Sequence, residues 1–286
     1  MLKPLMIVAA LLISTMTSIS AVAQPLLSTG DIIVSGIPHG AIPEDAAVLP
    51  FRILDASLNV KLSMKADSEI RMVIDASHNV TSLYGVRYNA AFQPIGYLHL
   101  YDIEPISITV ANDGRAFILG GSRWLSMFAE DGTRTMIPPW DFGSVGPNID
   151  LAPDQCTLVF TGAQKRVRRY DVCQSAFQPD FARDIPGGYV RALSDGGVAV
   201  LHDKDISFYD ANGRVTYSLA GIFTGKWFTF DSAPGVMWVS NTRIRLSDGA
   251  LLGYVDAPEM PQSIAVVDAH IPSSTSMIPR RRGVSR

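Results

Sequence analysis

The chain has 286 residues, with 24 basic against 27 acidic side chains and a formal net charge of −3. The two signs are interspersed, which excludes the broad basic face of a nucleic-acid binder. Hydrophobic residues make up 47% of the chain, enough for one large domain or two small ones.

The first 23 residues read as a secretory signal. Lys3 gives a positive start, Leu5 to Ile13 is an unbroken apolar run, and Ala21-Val22-Ala23 has the small-x-small form that a signal peptidase accepts. The apolar run is shorter than the roughly 20 residues of a membrane span. An uncleaved anchor is the alternative. The expectation is a mature, secreted or periplasmic domain over residues 24–271, with no transmembrane segment after signal removal.

Two patterns recur along that domain. The first is an apolar strand followed by an Asp-Gly-like turn and a second apolar strand. It appears at Ile106 to Gly114, Ile149 to Gln155, Val190 to Gly196 and Phe228 to Gly235, with the turn acids Asp113, Asp154 and Asp195 each 41 residues apart. The second is an apolar or aromatic residue with Asp or Asn close behind: Leu54-Asp55, Tyr88-Asn89, Phe128 with Asp131, Tyr170-Asp171, Tyr209-Asp210 and Leu246 with Asp248. Short β-rich runs at this period predict four-stranded blades, each stable only when stacked on its neighbours. Six anchors predict an all-β, six-bladed propeller; two separate sandwiches are the alternative.

The ends predict how the ring closes. Gly30 to Ser35 matches the second strand of a repeat, and its missing first strand lies at Ser263 to Asp268. One blade is thus expected to combine both termini, removing the free edges of an open sheet. Cys156 opens the second strand of the fourth blade and Cys173 closes the third. A hairpin at Gln164-Lys165 is expected to set them opposite each other, within reach of a disulfide; two free thiols are the alternative. The last stretch, residues 272–286, carries Arg280, Arg281, Arg282 and Arg286 behind a Ser-rich run and reads as a disordered basic tail.

The segment Pro147 to Thr161, followed by Val167-Arg168-Arg169-Tyr170-Asp171, resembles a blade of the NHL-type and gluconolactonase/regucalcin-type propellers. The Asp-Gln-Cys-Thr-Leu and Tyr-Asp-Val-Cys pair also resembles exported bacterial NHL-like proteins of unassigned activity. The resemblance implies six blades. In its lactonase branch it implies a divalent cation such as calcium at the channel mouth, held by one Glu, two Asn and one Asp. Asn148 falls where one such Asn lies, whereas Gly188-Tyr189-Val190 stands where the next blade's Asp is expected.

Links from an outer strand to the next inner strand share a face with the middle hairpins. That rule gathers a candidate ligand rim: Asp67, Glu69, Asp102, Glu104, Asp141, Asp184 and Glu259 from the links, with His39, Glu44, His202 and Asp203 from the hairpins. Trp140 and Phe142 flank Asp141 as a possible stacking wall. The alternative is that these are solvated loop charges. No GxSxG, HExxH or glycine-rich phosphate loop occurs, and no catalytic residue or cofactor beyond that cation is expected. The reading is a non-enzymatic exported binding propeller for an unknown protein or small extracellular ligand; a metal-dependent lactonase-like hydrolase is the alternative.

Overall fold

A computed structural model describes residues 25–38, 48–67, 71–100, 102–121, 124–138, 148–162, 166–221, 227–255 and 259–276. The signal segment, Glu69, the Trp140-Asp141-Phe142 group, His39 and Glu44 lie outside them, as do the Gln164-Lys165 turn and the four tail arginines. Among the described residues the regular structure is all strand, in six antiparallel four-stranded sheets.

Five blades are built in chain order from the axis outward. Blade 2 holds β4 (Met72–Ile74), β5 (Val80–Ser82), β6 (Val86–Tyr88) and β7 (Pro94–Tyr97). Blade 3 holds β8 (Pro105–Val110), β9 (Ala116–Gly120), β10 (Leu125–Phe128) and β11 (Arg134–Ile137). Blade 4 holds β12 (Ile149–Leu151), β13 (Thr157–Thr161), β14 (Val167–Asp171) and β15 (Ala176–Phe177). Blade 5 holds β16 (Tyr189–Ala192), β17 (Val198–His202), β18 (Asp205–Tyr209) and β19 (Val215–Leu219). Blade 6 holds β20 (Phe228–Phe230), β21 (Val236–Val239), β22 (Thr242–Arg245) and β23 (Leu251–Tyr254).

Blade 1 is composite: β24 (Glu259–Val266) is its innermost strand, ahead of β1 (Ile32–Pro38), β2 (Val48–Leu54) and β3 (Val60–Asp67). Ile32 pairs with Val266 and Ser35 with Ser263, and past a bulge at Ser35/Gly36 the ladder continues to Pro38 opposite Glu259. The closing strand therefore starts four residues earlier than the sequence pattern indicates. A backbone bond from Val267 N–H to Asp31 O and one from Thr29 Oγ1 to Asp268 Oδ2 extend the join past the strand end.

Blade faces meet to form the core. The middle strands β9 and β13 are buried along their whole length, as expected of strands covered on both faces. Phe117, Phe160, Phe208, Phe228 and Trp238 fill the spaces between sheets.

The recurring acids turn out to be turn formers. Asp55 Oδ1 accepts from the N–H groups of Ser57 and Asn59, and Asp210 Oδ1 from Asn212 and Arg214. Asn89 does the same for Ala91 and Gln93, and Asp171 for Cys173 and Gln174. A short acid or amide satisfies turn N–H groups that the ladder leaves unpaired. Each turn also needs a residue with positive φ. Glycine serves at Gly114 (φ 81°) and Gly213 (φ 72°), but Leu58, His78, Phe92 and Gln155 occupy the same position elsewhere.

Cys156 and Cys173 form a disulfide with a Cα–Cα distance of 5.3 Å. Their register differs by one residue from direct opposition. Val172 N–H bonds to Cys156 O, and Cys173 sits one position further, inside the turn that Asp171 caps.

Beyond Val267 the chain crosses the hairpin turns of blades 6 and 5. His270 N–H donates to Asp231 O, Ser194 N–H to Pro272 O, and Ser274 donates from N–H (2.8 Å) and Oγ (2.6 Å) to Asp195 Oδ2. Thr216 Oγ1 donates to Ser274 O. The packed chain thus runs through Ser276, past the Pro272 boundary that composition suggests, because Ser274 is buried against Asp195.

Truncation after Met260 should abolish the cooperative unfolding transition in urea. Truncation after Ile271 should cost about 1–3 kcal/mol relative to truncation after Ser276, since it removes buried Ser274 and its two hydrogen bonds to the Asp195 carboxylate. Reducing the Cys156–Cys173 bond should cost about 3 kcal/mol, the usual value for a loop of this size. Two alkylatable thiols in the unreduced mature protein would refute the linkage.

Candidate functional site

Each innermost strand has a hydrogen-bonded neighbour on one side only, so its other edge faces the channel with unpaired N–H and C=O groups. Between blades 3 and 6 side chains cap these edges. Ser107 Oγ accepts from Ile149 N–H (2.9 Å) and from Arg71 Nη1 (3.1 Å). The Asn148 carboxamide clamps Val190 from both sides, with Nδ2 donating to Val190 O (2.6 Å) and Oδ1 accepting from Val190 N–H (2.8 Å). Asp150 Oδ2 accepts from Ala192 N–H (2.8 Å), and Arg191 Nε donates to Phe228 O (3.3 Å). These contacts link each blade to the next around the axis.

A cavity of about 330 Å³ lies on that axis, lined by residues from all six innermost strands. Register identifies one equivalent position per blade, one residue before the last pair of each inner hairpin. Opposite Thr81, Phe117, Val159, Ala199, Trp238 and Ile33 stand Val73, Thr109, Asp150, Arg191, Thr229 and Ala265. All six line the cavity. The ring is polar across blades 3 to 6 and apolar at blades 1 and 2. Asp75, Asn112 and Gln155 from the inner hairpin turns, with Asp268 just past the end of β24, form the mouth, and Ala269 and Ile271 from the C-terminal crossing cover part of it.

Each charge around the cavity has at least one partner. Asp150 Oδ1 takes Arg191 Nη1 at 2.9 Å. Burial pushes the Asp150 carboxyl above the usual carboxylate range, and the Arg191 charge and Ala192 N–H pull it back only in part. Asp75 Oδ1 accepts from Ser77 and Asn79 N–H. Asp268 bonds Thr29 Oγ1 and lies 3.1 Å from His78 Nε2. Arg71, just ahead of β4, and Arg191 both lie over the Tyr189 ring, each 5.8 Å from its centroid.

Those of the expected rim residues that the structure describes lie on the other face, among links and middle hairpins, and none of them lines this cavity. Asp102 pairs with Arg134 at 2.5 Å and Asp184 with Arg166 at 3.1 Å, both as exposed ion pairs. His202 Nδ1 lies 3.2 Å from its neighbour Asp203, with both side chains in solvent. Glu104 is exposed beside Gly121, and its carbonyl accepts from Gly121 N–H. Glu259 and Asp67 are placed by their strands alone. Among the described residues the only convergence of three potential metal ligands is Cys156, Asp171 and Cys173. Both sulfurs there are spent in the disulfide. With the Asn148 amide paired to Val190, the described residues do not converge into the four-oxygen cation site of the lactonase pattern.

No residue of this ring belongs to a catalytic or metal motif, so the sequence does not single it out. Its signal is nonetheless present: Thr109, Asp150 and Arg191 each stand four residues before a turn acid, and so share the 41-residue spacing.

No protein-family model matches the sequence, and no characterised protein matches it in sequence either. In structure the chain is similar to a protein of unknown function from Bacteroides caccae, with a TM-score of 0.55 and 12% identity over 83% of this chain and 98% of that one. At this identity the likeness speaks for the fold alone. The protein is a six-bladed β-propeller.

The turn acids set its acid stability. Hydrogen bonds from Asn59 hold Asp55 below the ordinary carboxylate range; the Thr133 N–H does so for Asp131, the Ala250 N–H for Asp248, and the Thr29 hydroxyl for Asp268. Burial opposes the same effect at Asp154, but the Thr157 hydroxyl and N–H outweigh it. Carboxyls depressed in the folded state contribute stability above their unfolded pKa and lose it as pH falls. The melting temperature should therefore drop below about pH 4, and Asp55→Asn, which keeps the cap without the titration, should blunt the drop. A melting temperature at pH 3 equal to that at pH 6 would contradict this account.

Proposed function

We propose that this is an exported, non-enzymatic binding propeller that takes a small extracellular ligand into the channel cavity on the face of the inner hairpins. The carrying observation is that one cavity gathers residues from all six blades, the arrangement in which a propeller concentrates its most varied side chains. Its acids are engaged by Arg191, by turn N–H groups or by His78, which suits fixed recognition groups better than proton carriers. The disulfide supports export, since such bonds persist in oxidising compartments. Among the described residues no helix is long and apolar enough to cross a membrane.

The test is thermal-shift screening of the chain from Gln24 onward against small solutes, repeated on Val73→Phe and the milder Ala265→Leu, both of which fill the cavity. A solute at a hundred times its Kd should stabilise the wild type by about 2.7 kcal/mol, and the filled variants should lose that response. Shifts that persist in both variants would remove the cavity from the binding site. Cation-dependent turnover of a lactone by the wild type would replace binding with hydrolysis.

A further inference from the structure

We propose that the channel cavity holds a zwitterionic α-amino acid with an apolar side chain. This rests on the binding role given above and adds the ligand class. Around the ring the polar residues run Thr109, Asp150, Arg191, Thr229, so a fixed negative charge and a fixed positive charge stand side by side with a hydroxyl on each flank. Asp150 engages one acceptor site on each oxygen, through Arg191 and Ala192, leaving about half of a carboxylate's acceptor capacity. Arg191 bonds only through Nε and one Nη1 hydrogen, so most of a guanidinium's donors remain for a ligand. Thr109 and Thr229 are each 6% exposed and present their hydroxyl-bearing side chains among the residues that line the cavity. Both are polar side chains, more than nine-tenths buried, on the wall of the cavity.

A ligand ammonium donates to Asp150 and Thr109 while its carboxylate accepts from Arg191 and Thr229. A ligand of one charge leaves half of the Asp–Arg pair uncompensated in a desolvated site, a costly arrangement. Asp75 and Asp268 at the mouth repel a net anion, whereas a zwitterion carries no net charge past them. The apolar half of the ring, Val73 and Ala265 with Ile74 and Phe230 close by, takes the side chain. The volume, about 330 Å³, is at the small end of ligand pockets, which span roughly 300–1,000 Å³.

The experiment is calorimetry of the chain from Gln24 onward with leucine, valine and phenylalanine, beside the N-acetyl and amide derivatives of whichever binds, and glucose. The free amino acid should bind, and blocking either charge should weaken it more than about tenfold, the worth of a charged hydrogen bond. Because truncating Asp150 or Arg191 endangers folding, the variants are Thr109→Val and Thr229→Val. Each should weaken binding several-fold and leave the melting temperature nearly unchanged, since valine keeps the shape of threonine on the cavity wall. Equal binding of the blocked derivatives, or unchanged affinity in both variants, would overturn the proposal. So would silence from all three amino acids. Glucose binding that the cavity-filling variants abolish would overturn the ligand class and leave the binding role standing.

Discussion

The pairing of β24 with β1 is the contact on which the rest of the molecule depends. A blade of four short strands cannot bury both of its faces, so the six sheets stabilise one another only as a closed ring. The last link is a ladder from Ile32–Val266 to Pro38–Glu259 between segments more than two hundred residues apart. It places the C-terminal strand innermost in blade 1, and so contributes Ala265 to the channel ring. It also delivers Asp268, Ala269 and Ile271 to the cavity mouth. Closure and the candidate site are parts of the same construction.

The channel has a problem of its own: six strand edges converge on one axis with half of their backbone groups unpaired. Burying such groups without partners costs free energy comparable to lost hydrogen bonds. In blades 3 to 6 the chain answers with side chains that reach one blade onward, from Ser107 to Ile149, Asn148 to Val190, Asp150 to Ala192 and Arg191 to Phe228. Asn148 is the plainest case. A ligand by resemblance, it serves as a peptide-shaped clamp that joins blade 4 to blade 5. The same polar arc, facing a Val73–Ala265 apolar arc, leaves the cavity amphipathic.

How far the fold can be read from the residues depends on how each turn is built. Asp113 and Asp210 each pair a side-chain cap with a glycine at positive φ, Gly114 and Gly213, so the third and fifth blades announce themselves. In blades 1 and 2 the left-handed position is held by Leu58, His78 and Phe92. Phe92 tolerates it because its ring is buried against Phe51 and Tyr88, at centroid distances of 4.8 and 4.6 Å. Tertiary packing there overrides the local preference, and the turn signature disappears from the sequence. The anchors Leu54-Asp55 and Tyr88-Asn89 survive because the cap itself is local, two to four residues from its donors.

The chain alone determined the blade number, the sharing of one blade by both termini and the Cys156–Cys173 bond. Those properties follow from short-range turn chemistry and from periodicity, which are written in neighbouring residues. It also marked acids whose recurrence comes from capping turns. Only the tertiary structure decided which face carries the cavity, that Ser274 is buried against Asp195, and that Thr109, Asp150, Arg191 and Thr229 share one wall. These groups belong to four different sheets, and their meeting is a product of how the blades are rotated about the axis. No local pattern encodes that rotation; it is settled when the faces between sheets are filled.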